Sequence, residues 1–225
     1  MALALEAAGW RLEQTFGRGD DISAAAAGVD VCVIATPDAA IAEVAAAVHP
    51  GDGVLLHLSG VTGLDALAGH RAAALHPLVA LPDEAAGAAA LSTAWFAVGG
   101  DPIAIEIAEL LSGNWFVIAD SDRTLYHAAA VVASNHLVAL LGQVERIAES
   151  IDVPSAAFLR LAAGALEDVE RLGSAAALTG PARRGDDATI EAHRRALAER
   201  LPEELAAYDA LLTEARRLIP PDEPN

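Results

Sequence analysis

The sequence contains no lysine. All 14 of its basic residues are arginine, and they stand against 32 Asp and Glu for a formal net charge of −18. The absence excludes a Schiff-base lysine, a phosphate-gripping lysine of the Walker type and any mechanism whose general acid is a lysine ammonium. A GC-rich codon preference produces the same bias towards Ala and Arg, so the absence is not in itself functional. Cysteine is nearly absent too: Cys32 is alone, which excludes a disulfide framework or thiolate metal site within one chain and fits a reducing cytoplasm. Aromatic residues make up only 4% of the chain, and about a quarter of it is alanine, which favours helix while adding little core volume. Apolar runs are broken by Gly, Pro or charge before they reach the roughly 20 residues of a membrane span. No basic segment precedes an apolar core at the N-terminus, so no signal peptide is expected. The negative charge repels nucleic acid and anionic lipid, so neither is an expected partner. An anionic cofactor requires locally concentrated arginine.

What is present falls into two patterns. The first half alternates short β-like runs with helical stretches, the signature of a parallel sheet covered by helices. Met1 to Ala8 reads as a helix closed by Gly9, Arg11 to Phe16 alternates like a strand, and Asp21 or Ser23 can cap a short alanine helix. Buried-strand runs follow at 29–35 and 54–58, separated by a helix from Ala39 to Val48. A weak helix is expected near Leu64 to Leu67, then a short strand up to Leu75 and a loop from His76 to Asp83. Trp95 to Val98, the helix Pro102 to Leu111 and the strand Trp115 to Ala119 complete this half. From Asp122 the pattern is helical throughout: 123–150, 155–172, a helix capped near Asp187, and one from Pro202 to Ile219. The expected division is an α/β domain over 1–120 and an all-α domain over 121–225, with a frayed acidic tail from Pro220.

No GxGxxG fingerprint occurs. Gly17-Arg18-Gly19 lacks the third glycine and reads better as the turn after the second strand, where Arg18 either meets a 2′-phosphate or stands as a solvated charge beside Asp20 and Asp21. Ala35-Thr36-Pro37 and His57-Leu58-Ser59-Gly60 end two neighbouring strands, where open α/β sheets bind ligands. His57 is equally readable as a buried, hydrogen-bonded histidine. His76-Pro77-Leu78 opens a loop in which a structural or a catalytic role fits. On the helix that opens the second half, an ideal turn of about 100° per residue puts Val131, Ser134 and Val138 within about 40° of His127, and Asn135 about 80° round. Such a stripe can line a cleft where an imidazole acts as acid or base; a core histidine bonded to Ser or a backbone carbonyl is the alternative. His136 points away, which argues against a metal pair with His127. Arg183-Arg184 between glycines, followed by Asp186 and Asp187, reads as an anion grip or as a capped surface connection. His193 shares a face with Ile190 and Leu197, where packing is expected.

The order of these motifs carries more than any one of them. PDxxI (37–41), HxSG (57–60), HPL (76–78), YHAAAVxxSN (126–135) and LTGPxxRGD (178–186) together resemble a bacterial family described as Rossmann-like plus DUF2520. That family is related to the pyrroline-5-carboxylate reductase, ketopantoate reductase and hydroxyisobutyrate dehydrogenase group. The resemblance covers nearly the whole chain. It implies an N-terminal NAD(P)-binding domain, a C-terminal all-α domain like that of 6-phosphogluconate dehydrogenase, and a homodimer formed through the helices. Two departures matter. The family begins with a strand and a glycine loop that this sequence lacks, either because its start is set too far downstream or because this form is compromised for cofactor binding. Related hydroxyacid dehydrogenases also use a lysine on the first helix of the helical domain, with an asparagine after it; here His127 and Asn135 occupy the comparable helix.

The resulting expectation is an NADP-dependent reductase of a small polar carbonyl or imine compound, with NAD the alternative cofactor. His127 donates the proton, while Ser59 and Asn135 orient the substrate. Arg18, Ala35, Thr36, Pro37 and Ser59 face the cofactor, and His76, Ser134, Arg184 and Asp186 face the substrate. No metal is expected. The rival expectation is a non-catalytic dimer that binds a nucleotide or metabolite as a scaffold or sensor.

Overall fold

A computed structural model describes residues 1–80 and 84–220. The chain divides into two compact units, Met1–Asn135 and His136–Asn225.

The first unit is built on a five-stranded sheet in the order β1 (Val31–Ile34), β2 (Val54–His57), β3 (Ala72–Leu78), β4 (Trp95–Gly100), β5 (Trp115–Val117). β1, β2 and β3 are parallel, as are β4 and β5, but β3 and β4 run antiparallel, with Leu78 opposite Trp95. The sheet is parallel, as expected, at every pair but this one. Every residue of β2 is buried, as expected of a strand covered on both faces. Its side chains alternate between two cores. Val54 and Leu56 pack with Leu75, Phe96, Val98 and Ile107, whereas Leu55 packs with Ile34, Ile41, Ala45 and Leu67. The helices α1 (Ala2–Ala7), α2 (Ile41–Ala47), α3 (Glu84–Leu91) and α4 (Ile103–Leu111) complete this α/β layer.

Three local expectations are overturned here. Arg11 to Phe16 forms no strand and is exposed throughout; β1 is the first strand of the sheet, and an extended segment without a hydrogen-bonded neighbour leaves its backbone to water. Ala24 to Ala27 makes turns rather than a helix. His76-Pro77-Leu78 lies in β3 and not in a loop. β2 ends at His57, opposite Ala74, so this part of β3 has a neighbour on one side only, where a strand tolerates proline.

Helix α5 (Arg123–Val131) is followed by a π-helical turn at Val132–His136 and then by α6 (Leu137–Ser150). The unit boundary falls in that turn, beyond the change of pattern at Asp120, because residues at the start of α5 pack on the sheet. The helical stretch 120–150 is long and apolar enough, by length and composition alone, to cross a membrane. Its central part, 124–144, holds no Asp, Glu or Arg.

The second unit is all helical: α6, α7 (Ser155–Leu172), the short α8 (Ser174–Ala177) and α9 (Gly180–Arg184), α10 (Asp187–Arg200) and α11 (Leu205–Arg217). Arg146 pairs with the buried carboxylate of Glu204, and Gln143 donates to the Glu204 carbonyl at 2.9 Å. Arg194 grips Asp209 through two nitrogens, at 2.9 and 3.1 Å. His193 is exposed and meets the Tyr208 hydroxyl at 3.0 Å, the rings edge to face, so it is a surface contact and not the packed side chain expected. The acidic tail 221–225 lies outside the described residues, as do 81–83 of the expected loop.

Candidate active site

Ile34 is level with His57, and His57 with Ala74, so the carboxyl ends of β1 and β2 open at one edge of the sheet while β3 runs on to His76. Ala35, Thr36 and Pro37 are exposed there, available to a ligand. Ser59 is different. Its side chain is buried, and its hydroxyl donates to Thr62 Oγ1 at 2.8 Å while accepting from the Thr62 and Val61 amides at 3.0 and 3.3 Å. Ser59 shapes its own loop, and the loop presents Gly60.

Three other side chains form the floor. His57 is fully buried and its Nδ1 accepts from the Ser59 amide at 3.2 Å, so its proton sits on Nε2. Burial, reinforced by the Arg123 charge, pushes its pKa down to about 4. Arg123 opens α5 and is also fully buried. Its Nε donates to Asp120 Oδ1 at 2.7 Å, and Asp120 Oδ2 accepts from the Leu64 amide at 2.9 Å. Partial burial raises the Asp120 pKa, but those bonds and the Arg123 charge hold it below the ordinary value. The guanidinium fits because position 99 is glycine: a Cβ there would stand 2.8 Å from Arg123 Nη2.

Helix periodicity places Arg123, Tyr126 and His127 on one face. The Tyr126 hydroxyl lies 2.6 Å from His76 Nδ1, and the His76 and His127 rings meet edge to face with centroids 6.3 Å apart. Both imidazoles close over the bare backbone of Gly60, where a Cβ would lie 2.9 Å from His76 Nε2 and 3.0 Å from His127 Cδ2. Burial, then the neighbouring His127 and Arg123 charges, push the His76 pKa down to about 4 against the pull of Asp38. Burial raises the Tyr126 phenol, partly offset by Arg123. His127 is half-buried and makes no hydrogen bond among the described residues. The alternative of a core histidine satisfied by Ser or a carbonyl therefore does not describe it.

The structure brings together Ser59, His76 and His127, and places Ala35 to Pro37 at the same sheet edge. The other expected site residues are not assembled with them. The π turn carries Ser134, half-buried, and Asn135, exposed; its wider hydrogen-bond spacing cancels the angular stripe computed for a regular helix. Arg18 is exposed in a turn where the Gly17 amide donates to Asp20 Oδ2 at 2.6 Å. Arg184 is exposed at the end of α9, and Asp186 caps α10 through the Thr189 amide and hydroxyl at 3.1 and 2.7 Å; both belong to the second unit. Sequence reasoning missed Arg123, Asp120, Tyr126 and Gly60. The spacing of Arg123, Tyr126 and His127 was the available signal. Among the described residues no group of three His, Cys, Asp or Glu side chains is placed to hold a metal.

Residues 95–215 match the domain of unknown function DUF2520. The chain belongs to this family. It is similar to a solved protein of Thermotoga maritima at 30% identity, with a TM-score of 0.71 over 84% of this chain and 76% of that one. A Bacteroides fragilis protein, provisionally titled an NADP oxidoreductase, superposes with a TM-score of 0.75 at 20% identity over 96% of this chain and 92% of its own. The Plasmodium falciparum pyrroline carboxylate reductase with NADP bound superposes at 0.57 and 10% identity over 93% and 85%. At such identities the last two show a shared fold: a Rossmann-like domain followed by an all-helical one. No functionally curated protein matches the sequence.

Proposed function

We propose that this DUF2520 protein is an NADP-dependent oxidoreductase that reduces a small polar carbonyl or imine compound. The observation that carries the reading is the convergence of His76 and His127 on Gly60, at the sheet edge where this fold class binds ligands. The shared fold with a reductase holding NADP supports it. Ala35 to Pro37, exposed at this sheet edge, would hold the nicotinamide end of the cofactor. Arg18, exposed and arginine rather than acidic, suits a 2′-phosphate. When bound, the nicotinamide supplies hydride. His127 supplies the proton, Ser59 holds the Gly60 loop in place, and His76 faces the substrate. Asn135, Ser134 and Asp186 remain proposed as substrate contacts, and Arg184 as the group that binds a substrate carboxylate across a homodimer.

The test is titration of the folded chain with NADPH and NADH. NADPH should bind about tenfold more tightly than NADH, the worth of one charge-assisted phosphate contact. If the folded chain binds neither nucleotide, the oxidoreductase reading fails. A second reading, a non-catalytic metabolite-binding dimer, is favoured by one observation: the Gly17 amide is already occupied by Asp20, so that turn is not a phosphate cradle. It requires ligand binding without turnover.

The homodimer is proposed through the helical unit. Val138 on α6 and Leu161 and Leu166 on α7 are exposed, and apolar surface of this kind is ordinarily covered. The stretch 120–150 is read as such a surface rather than as a membrane span, because its first turns carry the buried Arg123 and the site residue His127. Sedimentation velocity at micromolar concentration should give a dimer; a monomer overturns this part of the proposal.

A further inference from the structure

The hydrogen bond between Tyr126 and His76 decides which proton the site can offer. Tyr126 is held edge-on by two rings, His76 at 5.6 Å and Phe116 at 5.7 Å between centroids, which aims its hydroxyl at His76 Nδ1. A phenol oxygen shares its lone pairs with the ring and accepts poorly, whereas an unprotonated imidazole nitrogen accepts well. The favoured arrangement is therefore O–H of Tyr126 donating to Nδ1, which leaves the single proton of the neutral imidazole on Nε2. Nε2 lies on the ring edge that packs against Gly60, where a Cβ would meet Nε2 at 2.9 Å and Cε1 at 3.0 Å.

We propose that His76 is a catalytic residue locked by Tyr126 as its Nε2–H tautomer, that this N–H donates to the oxygen of a substrate bound at the sheet edge beside Gly60, and that the substrate is accordingly an aldehyde or ketone rather than an imine. The inference rests on the oxidoreductase reading and narrows it. A carbonyl oxygen accepts from a neutral N–H, and the bond strengthens as negative charge develops on that oxygen during reduction. A protonated imine presents its own N–H and a positive charge, so it meets a donor where it needs an acceptor. Tyr126 acts through His76 and is a positioning residue. The buried surroundings and the nearby Arg123 disfavour a second proton on His76.

The experiment is two-bond ¹H–¹⁵N correlation of the histidine rings in the full chain at pH 7.5, with His76 assigned through His76→Gln. His76 is expected to show an unprotonated Nδ1 and a protonated Nε2. Tyr126→Phe, verified as folded by circular dichroism, should move the Nδ1 resonance, since the hydroxyl that fixes it is gone. A wild-type His76 that is Nδ1-protonated or doubly protonated overturns the proposal, and so does a Tyr126→Phe spectrum with Nδ1 unmoved. Once turnover is measured, a preference for an imine over the carbonyl of the same skeleton overturns the substrate assignment. Failure of the oxidoreductase reading has a separate signature, absent nicotinamide binding with the tautomer intact.

Discussion

Acidification from pH 7.5 to 5 should destabilise the sheet-bearing unit by about 4 kcal/mol, roughly 2 from each of two histidines. His57 and His76 have folded pKa values of about 4, against 6.5 for an ordinary imidazole. Between those values the unfolded chain binds protons that the folded chain refuses, so stability falls as the pH drops through 6.5 and the loss is complete only below about 4. Carboxylates act lower down: Asp120, held below the ordinary 3.8 by Arg123 and Leu64, contributes stability that is lost only as the pH falls through its own depressed pKa. The window from 6.5 to 4 therefore belongs to the imidazoles. The three tryptophans, Trp10, Trp95 and Trp115, all lie in the first unit, so urea unfolding followed by their fluorescence reads the right part of the chain. His57→Asn keeps an acceptor for the Ser59 amide but cannot titrate, and should halve the loss. Equal unfolding free energies at pH 7.5 and pH 5 would show that the site does not hold its imidazoles neutral.

The same buried histidines show where sequence reasoning succeeds and where it stops. β2 was legible because a strand covered on both faces is a continuous apolar run, β1 because its four residues are all apolar although only Ile34 is buried, and the strand ends after Ile34 and His57 came with them. His76 was legible as a candidate but not as a strand residue, because Pro77 reads locally as a turn and the antiparallel pairing with β4, His76 opposite Ala97 and Pro77 opposite Phe96, keeps it extended. Arg11 to Phe16 shows the reverse: its alternation is real, but a strand needs a neighbour. Arg123 was passed over because a charge at a helix start reads as solvated. Its burial depends on a glycine in β4, a pairing of distant residues that no local window contains. The π turn at 132–136 has no compositional signal, and the facing computed for Ser134 and Asn135 failed with it.

His127→Gln should lower the rate of NADPH-linked reduction by roughly 10²- to 10⁴-fold, the usual worth of a positioned general acid. Two imidazoles meet at Gly60, and their surroundings assign them different work. His76 is bound to Tyr126 and pushed down to about 4, so at neutral pH it offers a hydrogen bond and not an imidazolium proton. His127 is the other ring at the same backbone, half-buried and without a hydrogen-bond partner among the described residues. It can therefore turn towards the substrate and recover its proton from solvent. Glutamine preserves the approximate length and polarity of the side chain but has no titrating proton. The loss should consequently fall on kcat with little change in KM, and NADPH affinity should be unaltered, because the interaction removed is made in the transition state. Full turnover by a folded His127→Gln protein would remove His127 from the proton-donor role and leave Gly60 flanked by one working imidazole, His76.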